Sequence, residues 1–148
     1  SPHVTAPGVM SVQVDAPHTD LGWPVTPAGF ERLLLRLAAD YGAQLPAVYI
    51  TENGASYDDP LIDGVCHDSR RIAYIDAHLR AMRLAISQGV DVRGYFAWSL
   101  LDNFEWAHGF GQRFGLVHVD FDTLVRTPRS SAGWFADVCR NNLLPPLP

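Results

Sequence analysis

Ala47-Val48-Tyr49-Ile50-Thr51-Glu52-Asn53-Gly54 is the stretch on which the reading of this chain turns. Residues 47–51 form a short β-branched and aromatic run, preceded by Pro46 and followed by an Asn-Gly pair, the pattern of a buried strand that stops at a turn. Glu52 then stands on the strand's last rung. In parallel α/β proteins such strand ends gather ligands and catalytic groups, because the loops that follow form a rim over a packed core. A Glu before an Asn-Gly turn is also an ordinary way into a solvated loop, so the surrounding chain must decide.

Upstream, Thr26-Pro27 supplies an N-cap followed by proline at the first helical position, where the missing N–H costs nothing. Phe30, Leu33, Leu34, Leu37, Ala38 and Tyr41 recur at helical spacing as one apolar face, and Gly42 is placed to end the helix. The four residues 43–46 then lead into the strand, as an αβ unit expects. Downstream, the polar stretch 55–67 carries Asp58, Asp59 and Asp63 but lacks the alternating ligands and terminal Glu of a calcium loop, so it reads as a solvated loop. A second amphipathic helix is expected over 68–88, with Ile72, Ile75, Leu79, Met82 and Ile86 inward and Gly89 as its stop. Residues 92–99 read as another strand, apolar on both faces. The order helix, strand, helix, strand is that of a parallel α/β protein, and the helix at 68–88 is long enough for a right-handed crossover.

Beyond Ser99 the loop 100–115 is dense in aromatic and acidic residues; 116–121 alternates as a short strand, 123–128 turns, and 130–142 forms a last helix with Trp134, Phe135 and Val138 inward. The tail 143–148 holds three prolines and cannot continue that helix. Residues 1–26 are rich in Pro, Gly, Thr and His, with a short strand expected at 9–14, and the sequence opens on Ser1-Pro2 without an initiator Met. They read as a loop or excursion within a longer fold.

The 148 residues are 47% hydrophobic, enough for one domain with a core. Lys and Arg number 11 against 16 Asp and Glu, for a net charge of -5 with no basic stripe, which argues against nucleic acid or an anionic membrane as partner. Cys66 and Cys139 lie far apart and in no metal-ligand spacing, and the six His residues are scattered, so neither a disulfide framework nor a metal site is indicated and no cofactor is expected. No apolar run reaches membrane-spanning length and no secretory h-region is visible. With both thiols read as reduced, a cytoplasmic location is the expectation.

Chemistry gathers at the strand ends. If the two strands are neighbours, Glu52 and Trp98 emerge on one rim, and the loop beyond can fold Glu105 and Trp106 over the same space. Each Trp alone reads as readily as core packing. Carboxylates beside indoles in a concavity are what a pyranose needs: an aromatic platform for its C–H face, and polar groups for its ring of hydroxyls.

These residues carry a family resemblance. Tyr49-Ile50-Thr51-Glu52-Asn53-Gly54, with Trp98-Ser99-Leu100-Leu101-Asp102-Asn103-Phe104-Glu105-Trp106, Gly109 and Arg113-Phe114-Gly115-Leu116, closely resembles the C-terminal part of glycoside hydrolase family 1, the β-glucosidase family. The likeness extends to Thr19-Asp20-Leu21-Gly22-Trp23 and to Asp68, Arg71-Ile72, Tyr74 and His78-Leu79. It implies an α/β fold, the C-terminal part of a (β/α)8 TIM barrel, incomplete over residues 1–148, and a retaining β-glycosidase. By that match Glu52 is the nucleophile, ionised to attack the anomeric carbon. Trp98 is similar to the family's stacking platform, Glu105 to the carboxylate that binds O4 and O6, Trp106 to the indole that donates to a ring hydroxyl, and Phe114 to the wall beside C6. Family members acting on 6-phosphorylated sugars replace the carboxylate matched by Glu105, so a non-phosphorylated β-glucoside or related oligosaccharide is the implied substrate. Phe110 stands where the family often has Tyr.

A retaining enzyme needs two carboxyls about 5 to 5.5 Å apart. The family's acid/base lies in an Asn-Glu-Pro motif, which is absent here, and the only glutamates are Glu31, Glu52 and Glu105. A complete barrel takes about 250 residues. The expectation is therefore a segment that is inactive alone and needs the N-terminal barrel portion. The competing readings are a non-catalytic carbohydrate-binding module and a complementing segment that works only with a separate polypeptide.

Overall fold

The computed structural model describes residues 15–145, and the strand expected at 9–14 lies outside them. Helix α1, Pro27–Tyr41, is followed by a 3-10 turn, Gly42–Gln44, and strand β1, Val48–Asn53. A small hairpin comes next, β2 (Leu61–Ile62) and β3 (Val65–Cys66), then helix α2 (Ser69–Ser87) and strand β4 (Val92–Ala97). A 3-10 turn, Trp106–His108, interrupts the loop that leads to β5 (Val117–Val119), β6 (Arg126–Pro128) and helix α3 (Ser130–Asn141).

β1 and β4 pair in parallel, with α2 as the connection between them, so the two strands are neighbours as the βα order requires. Leu34 of α1, Ala85 of α2 and Val90 form one buried cluster, with Phe30, Leu35, Ala38, Val48 and Ile50 packed against it. Ile75, Leu79 and Leu116 form a second, into which α3 inserts Trp134, Phe135 and Val138. Each fully buried Leu or Ile contributes roughly 1.5–3 kcal/mol, so these two clusters fix the helices on one side of the sheet.

The structure corrects several expectations. The strands are not buried on both faces: Val48, Ile50 and Val92 meet the helices, whereas Tyr49 and Phe96 are exposed on the opposite face. The physical reason is that no described element covers that face. On α1, Leu33 and Tyr41 are exposed, because the packed stripe runs through Phe30, Leu34, Leu35 and Ala38; Leu33 points about 100° away from Leu34 and Tyr41 lies in the last turn. Ile86, in the last turn of α2, is also exposed.

The stretch 55–67 is more than a solvated loop. Ala55, Ser56, Tyr57 and Cys66 are buried, and β2 and β3 meet across Asp63-Gly64, whose φ values of 50° and 77° suit the turn that matches strand twist. Residues 126–128, expected as turn, pair antiparallel with β5 instead, which puts Arg129 under the rim.

Candidate active site

The sheet's register explains how Glu52 reaches the rim. Ile50 pairs with Tyr95 and Asn53 with Ala97, so β1 spends one residue more than β4 over the same span. This irregularity turns both Thr51 and Glu52 outward and leaves Asn53 facing in. There the Asn53 side-chain amide donates to the Tyr74 hydroxyl at 3.4 Å and its carbonyl oxygen accepts from the Tyr95 hydroxyl at 2.7 Å. Burial raises the pKa of both phenols, so each remains a neutral hydroxyl near neutrality.

The two strand ends are joined closely. The Trp98 N–H donates to the Asn53 carbonyl at 2.9 Å, and the backbone of Gly54 lies so near the Trp98 carbonyl that a Cβ there would overlap it. Only glycine fits that approach. After the cis peptide Trp98–Ser99, the loop doubles back: the Ser99 N–H donates to the Phe114 carbonyl at 3.1 Å, and the Leu116 N–H to the Ser99 carbonyl at 2.8 Å. Glu105 is pinned by its N–H to the Gly109 carbonyl at 2.6 Å. Trp106 stands 81% exposed with a φ of 45°. A large indole held outward in the left-handed region satisfies no packing demand among the described residues, and such outliers gather at ligand sites.

Glu52, Trp98, Glu105, Trp106 and Phe114, the five residues singled out in the sequence, line a single cleft of about 530 Å³. Trp23, Asn53, Gly54 and Tyr74 complete its lining. Trp23 packs on Phe114 with ring centroids 6.2 Å apart, and Phe114 itself is only 3% exposed, so it forms a fixed wall. Trp23 and Tyr74 belong to matched family motifs, but nothing in their local spacing marks them as cleft residues. Carboxylates, indoles and a phenol on one concave surface suit a polyhydroxylated ring.

Beneath the rim lie buried charges. Asp102 accepts from Arg129 at 2.9 and 3.0 Å, from Arg113 at 3.3 Å, and from the N–H groups of Gly115 and Val119 at 2.9 and 3.2 Å. Burial alone would raise the pKa of this carboxyl, but Arg129 and the two backbone donors together outweigh it and hold it below the usual carboxylate range. Asp68, the cap of α2, accepts from Arg71 at 3.0 Å and from the Ser131 N–H at 2.8 Å. Among the described residues no group of three His, Cys, Asp or Glu side chains could hold a metal ion, and no helix is long and apolar enough to cross a membrane.

Residues 2–144 match the sequence profile of glycosyl hydrolase family 1. The chain is 46% identical to β-glucosidase A of Thermotoga maritima over 139 residues, which is 93% of this chain and 31% of that protein. It is 47% identical over 137 residues to thermostable β-glucosidase B of Thermobispora bispora, covering 92% of this chain and 28% of that one. It superposes on the β-glucosidase from Thermotoga maritima in complex with deoxynojirimycin with a TM-score of 0.86 at 45% identity, over 90% of this chain and 30% of that one. The chain thus spans about 30% of the length of the relatives it matches, and its fold is part of an α/β barrel.

Proposed function

This chain belongs to glycosyl hydrolase family 1, and from that premise we propose that it forms the nucleophile-bearing, C-terminal part of a retaining β-glycosidase of β-glucosidase type. The observation that carries this reading is the convergence of Glu52, Trp98, Glu105, Trp106 and Phe114 on one cleft at the strand ends. Glu52 attacks the anomeric carbon: the C1–Oε bond forms as the bond to the aglycone oxygen breaks, and that oxygen takes a proton from an acid. Water then attacks C1 and gives its proton to the conjugate base of that acid, as the C1–Oε bond breaks and Glu52 leaves as a carboxylate. The released sugar keeps its configuration.

Trp98 offers an aromatic platform to the pyranose and Trp106 an indole N–H to a ring hydroxyl, Glu105 accepts from its hydroxyls, and Phe114 closes the apolar side beside C6. A carboxylate at Glu105 disfavours a phosphorylated ring, which supports a neutral terminal β-D-glucoside or related oligosaccharide as substrate. The acid/base is not among the residues of this chain: Glu31 lies on α1, where it accepts from Gln88, and Glu105 is assigned to binding. The N-terminal barrel portion is therefore the required partner. That the chain spans about 30% of its relatives favours part of a larger barrel over a self-contained carbohydrate-binding module.

The test is hydrolysis of a chromogenic aryl β-glucoside by the chain alone and by the chain joined to the N-terminal two thirds of the Thermotoga maritima enzyme. We expect activity only in the joined protein, falling about 10³-fold or more in Glu52→Gln. Turnover by the chain alone would overturn the assignment of the acid/base elsewhere; full activity in Glu52→Gln would overturn the nucleophile.

A further inference from the structure

Arg71 sits in the first turn of α2, is 1% exposed and does not line the cleft. A guanidinium has five N–H donors in a fixed plane, and all five are used here. Nε donates to Asp68 at 3.0 Å. Nη1 donates to the carbonyls of Ala55 at 2.5 Å and Phe114 at 3.4 Å. Nη2 donates to those of Tyr57 at 3.0 Å and Arg113 at 3.1 Å. The four carbonyls come in two pairs: 55 and 57 from the loop that leaves β1 just past Glu52 and Gly54, and 113 and 114 from the loop that returns after β4. One backbone bond, Tyr57 N–H to the Arg113 carbonyl at 3.1 Å, runs directly between the pairs.

The anchor is as fixed as the fork. Asp68 is fully buried, and its two oxygens also accept from the backbone N–H and, at 2.5 Å, the hydroxyl of Ser131 at the start of α3. The planar fork therefore reads the separation of two loops from a platform tied to two helices. Neither loop can shift without leaving a buried carbonyl or a guanidinium N–H unpaired.

We propose that Arg71 is a positioning residue that sets the width of the cleft between its Glu52–Gly54 side and its Phe114 wall. The proposal rests on the sugar-site reading above. Lysine would keep the charge and the pairing with Asp68 but has a single nitrogen and cannot span two loops.

The experiment uses the full chain joined to the N-terminal two thirds of the Thermotoga maritima enzyme, with deoxynojirimycin as the binding probe. In Arg71→Lys, KM for an aryl β-glucoside and Kd for deoxynojirimycin should rise together by about ten-fold or more, since a misplacement of an ångström is enough for such a loss. Arg80→Lys, a change to a half-exposed arginine of the same helix that holds Asp76 and the Pro145 carbonyl, should leave both within about two-fold. A purely structural role would lower Tm and the active fraction while leaving the affinity of the folded molecules unchanged, and that result would overturn the proposal. If Arg71→Lys does not fold, hydrogen exchange of the unsubstituted protein decides: segments 54–58 and 112–116 should gain protection together on binding deoxynojirimycin, and protection of one alone would overturn the coupling. An unsubstituted protein that does not bind deoxynojirimycin would overturn the sugar-site reading itself and this proposal with it, whereas normal binding by Arg71→Lys would overturn only the latter.

Discussion

Above the strand ends, every N–H of the buried Arg71 has an acceptor and Asp102 collects two arginines and two backbone donors, whereas on the inner face of the same two strands Tyr49 and Phe96 stand more than half exposed. The rim is closed by contacts between segments of this one chain. The inner face has neighbours on only one side, because a barrel interior is filled by side chains from several strands and β1 and β4 are two. The difference separates two kinds of information: the geometry of the cleft's floor and wall is encoded locally, while the packed layer that would seal the barrel beneath it is shared with the rest of the fold.

The largest effect that probes this contrast is Asp102→Ala. It leaves Arg129 buried without its counter-ion, and a loss of about 3–5 kcal/mol in urea unfolding is expected. Phe96→Ala in the chain alone should change stability by no more than about 0.5 kcal/mol, as for a surface site. The same change in the joined barrel should cost about 3–5 kcal/mol, because the ring is then part of a core. Equal costs for Phe96→Ala in the two contexts would break the comparison. Acid adds a second reading of the rim: Asp102 has its carboxyl held below its unfolded value, so its contribution is full above about pH 4 and is lost as pH falls through the folded value. An acid limb that survives in Asp102→Asn would assign it to other carboxylates.

Trp106 sharpens the contrast from the other side, since it belongs to the rim yet is more exposed than Phe96. Trp106→Ala should leave unfolding within about 0.5 kcal/mol of the unsubstituted chain, because the indole is exposed and alanine inherits the same positive φ. In the joined protein the same change should weaken deoxynojirimycin by about ten-fold, the scale of one lost indole N–H donor to a ring hydroxyl. A large loss of stability with unchanged affinity would make Trp106 a packing residue and remove it from the site.

The helix, strand, helix, strand order and the meeting of Glu52, Trp98, Glu105, Trp106 and Phe114 were legible because both depend on short-range pattern: apolar periodicity, caps, and motifs at strand ends. The Asp63-Gly64 hairpin carried a signal of the same kind, and it was hidden by the acidic character of the loop around it. What sequence could not supply was long-range. Arg71, Asp68, Asp102 and Arg129 look like ordinary surface charges on helices and loops, and it takes partners from other elements, as far as 63 positions away, to bury them. The exposed inner face escaped for the opposite reason: an apolar strand pattern reports what a fold would bury, not which neighbours are present.

A pH-dependent effect is expected where the helix layer meets the cleft. His78 is buried on α2, donates from Nδ1 to the Tyr74 carbonyl at 2.8 Å, and stacks on the Tyr74 ring with centroids 4.1 Å apart. Burial pushes its pKa below the ordinary value of 6.5, partly offset by that backbone bond. Above this value both folded and unfolded chains hold a neutral ring, and the contribution to stability is full. As pH falls below 6.5, the unfolded chain binds a proton that the folded chain refuses, so stability declines by up to about 1.4 kcal/mol per unit until the folded value is reached. His118, pushed down by burial and by Arg129, adds a slope of the same sign, so the difference between proteins isolates His78. Urea midpoints measured from pH 7.5 to 5.5 should fall less steeply in His78→Phe than in the unsubstituted chain. Parallel slopes would show that the ring takes its proton in place, and the contact that carries Tyr74, and through it Asn53 beside Glu52, would then be looser than the packing implies.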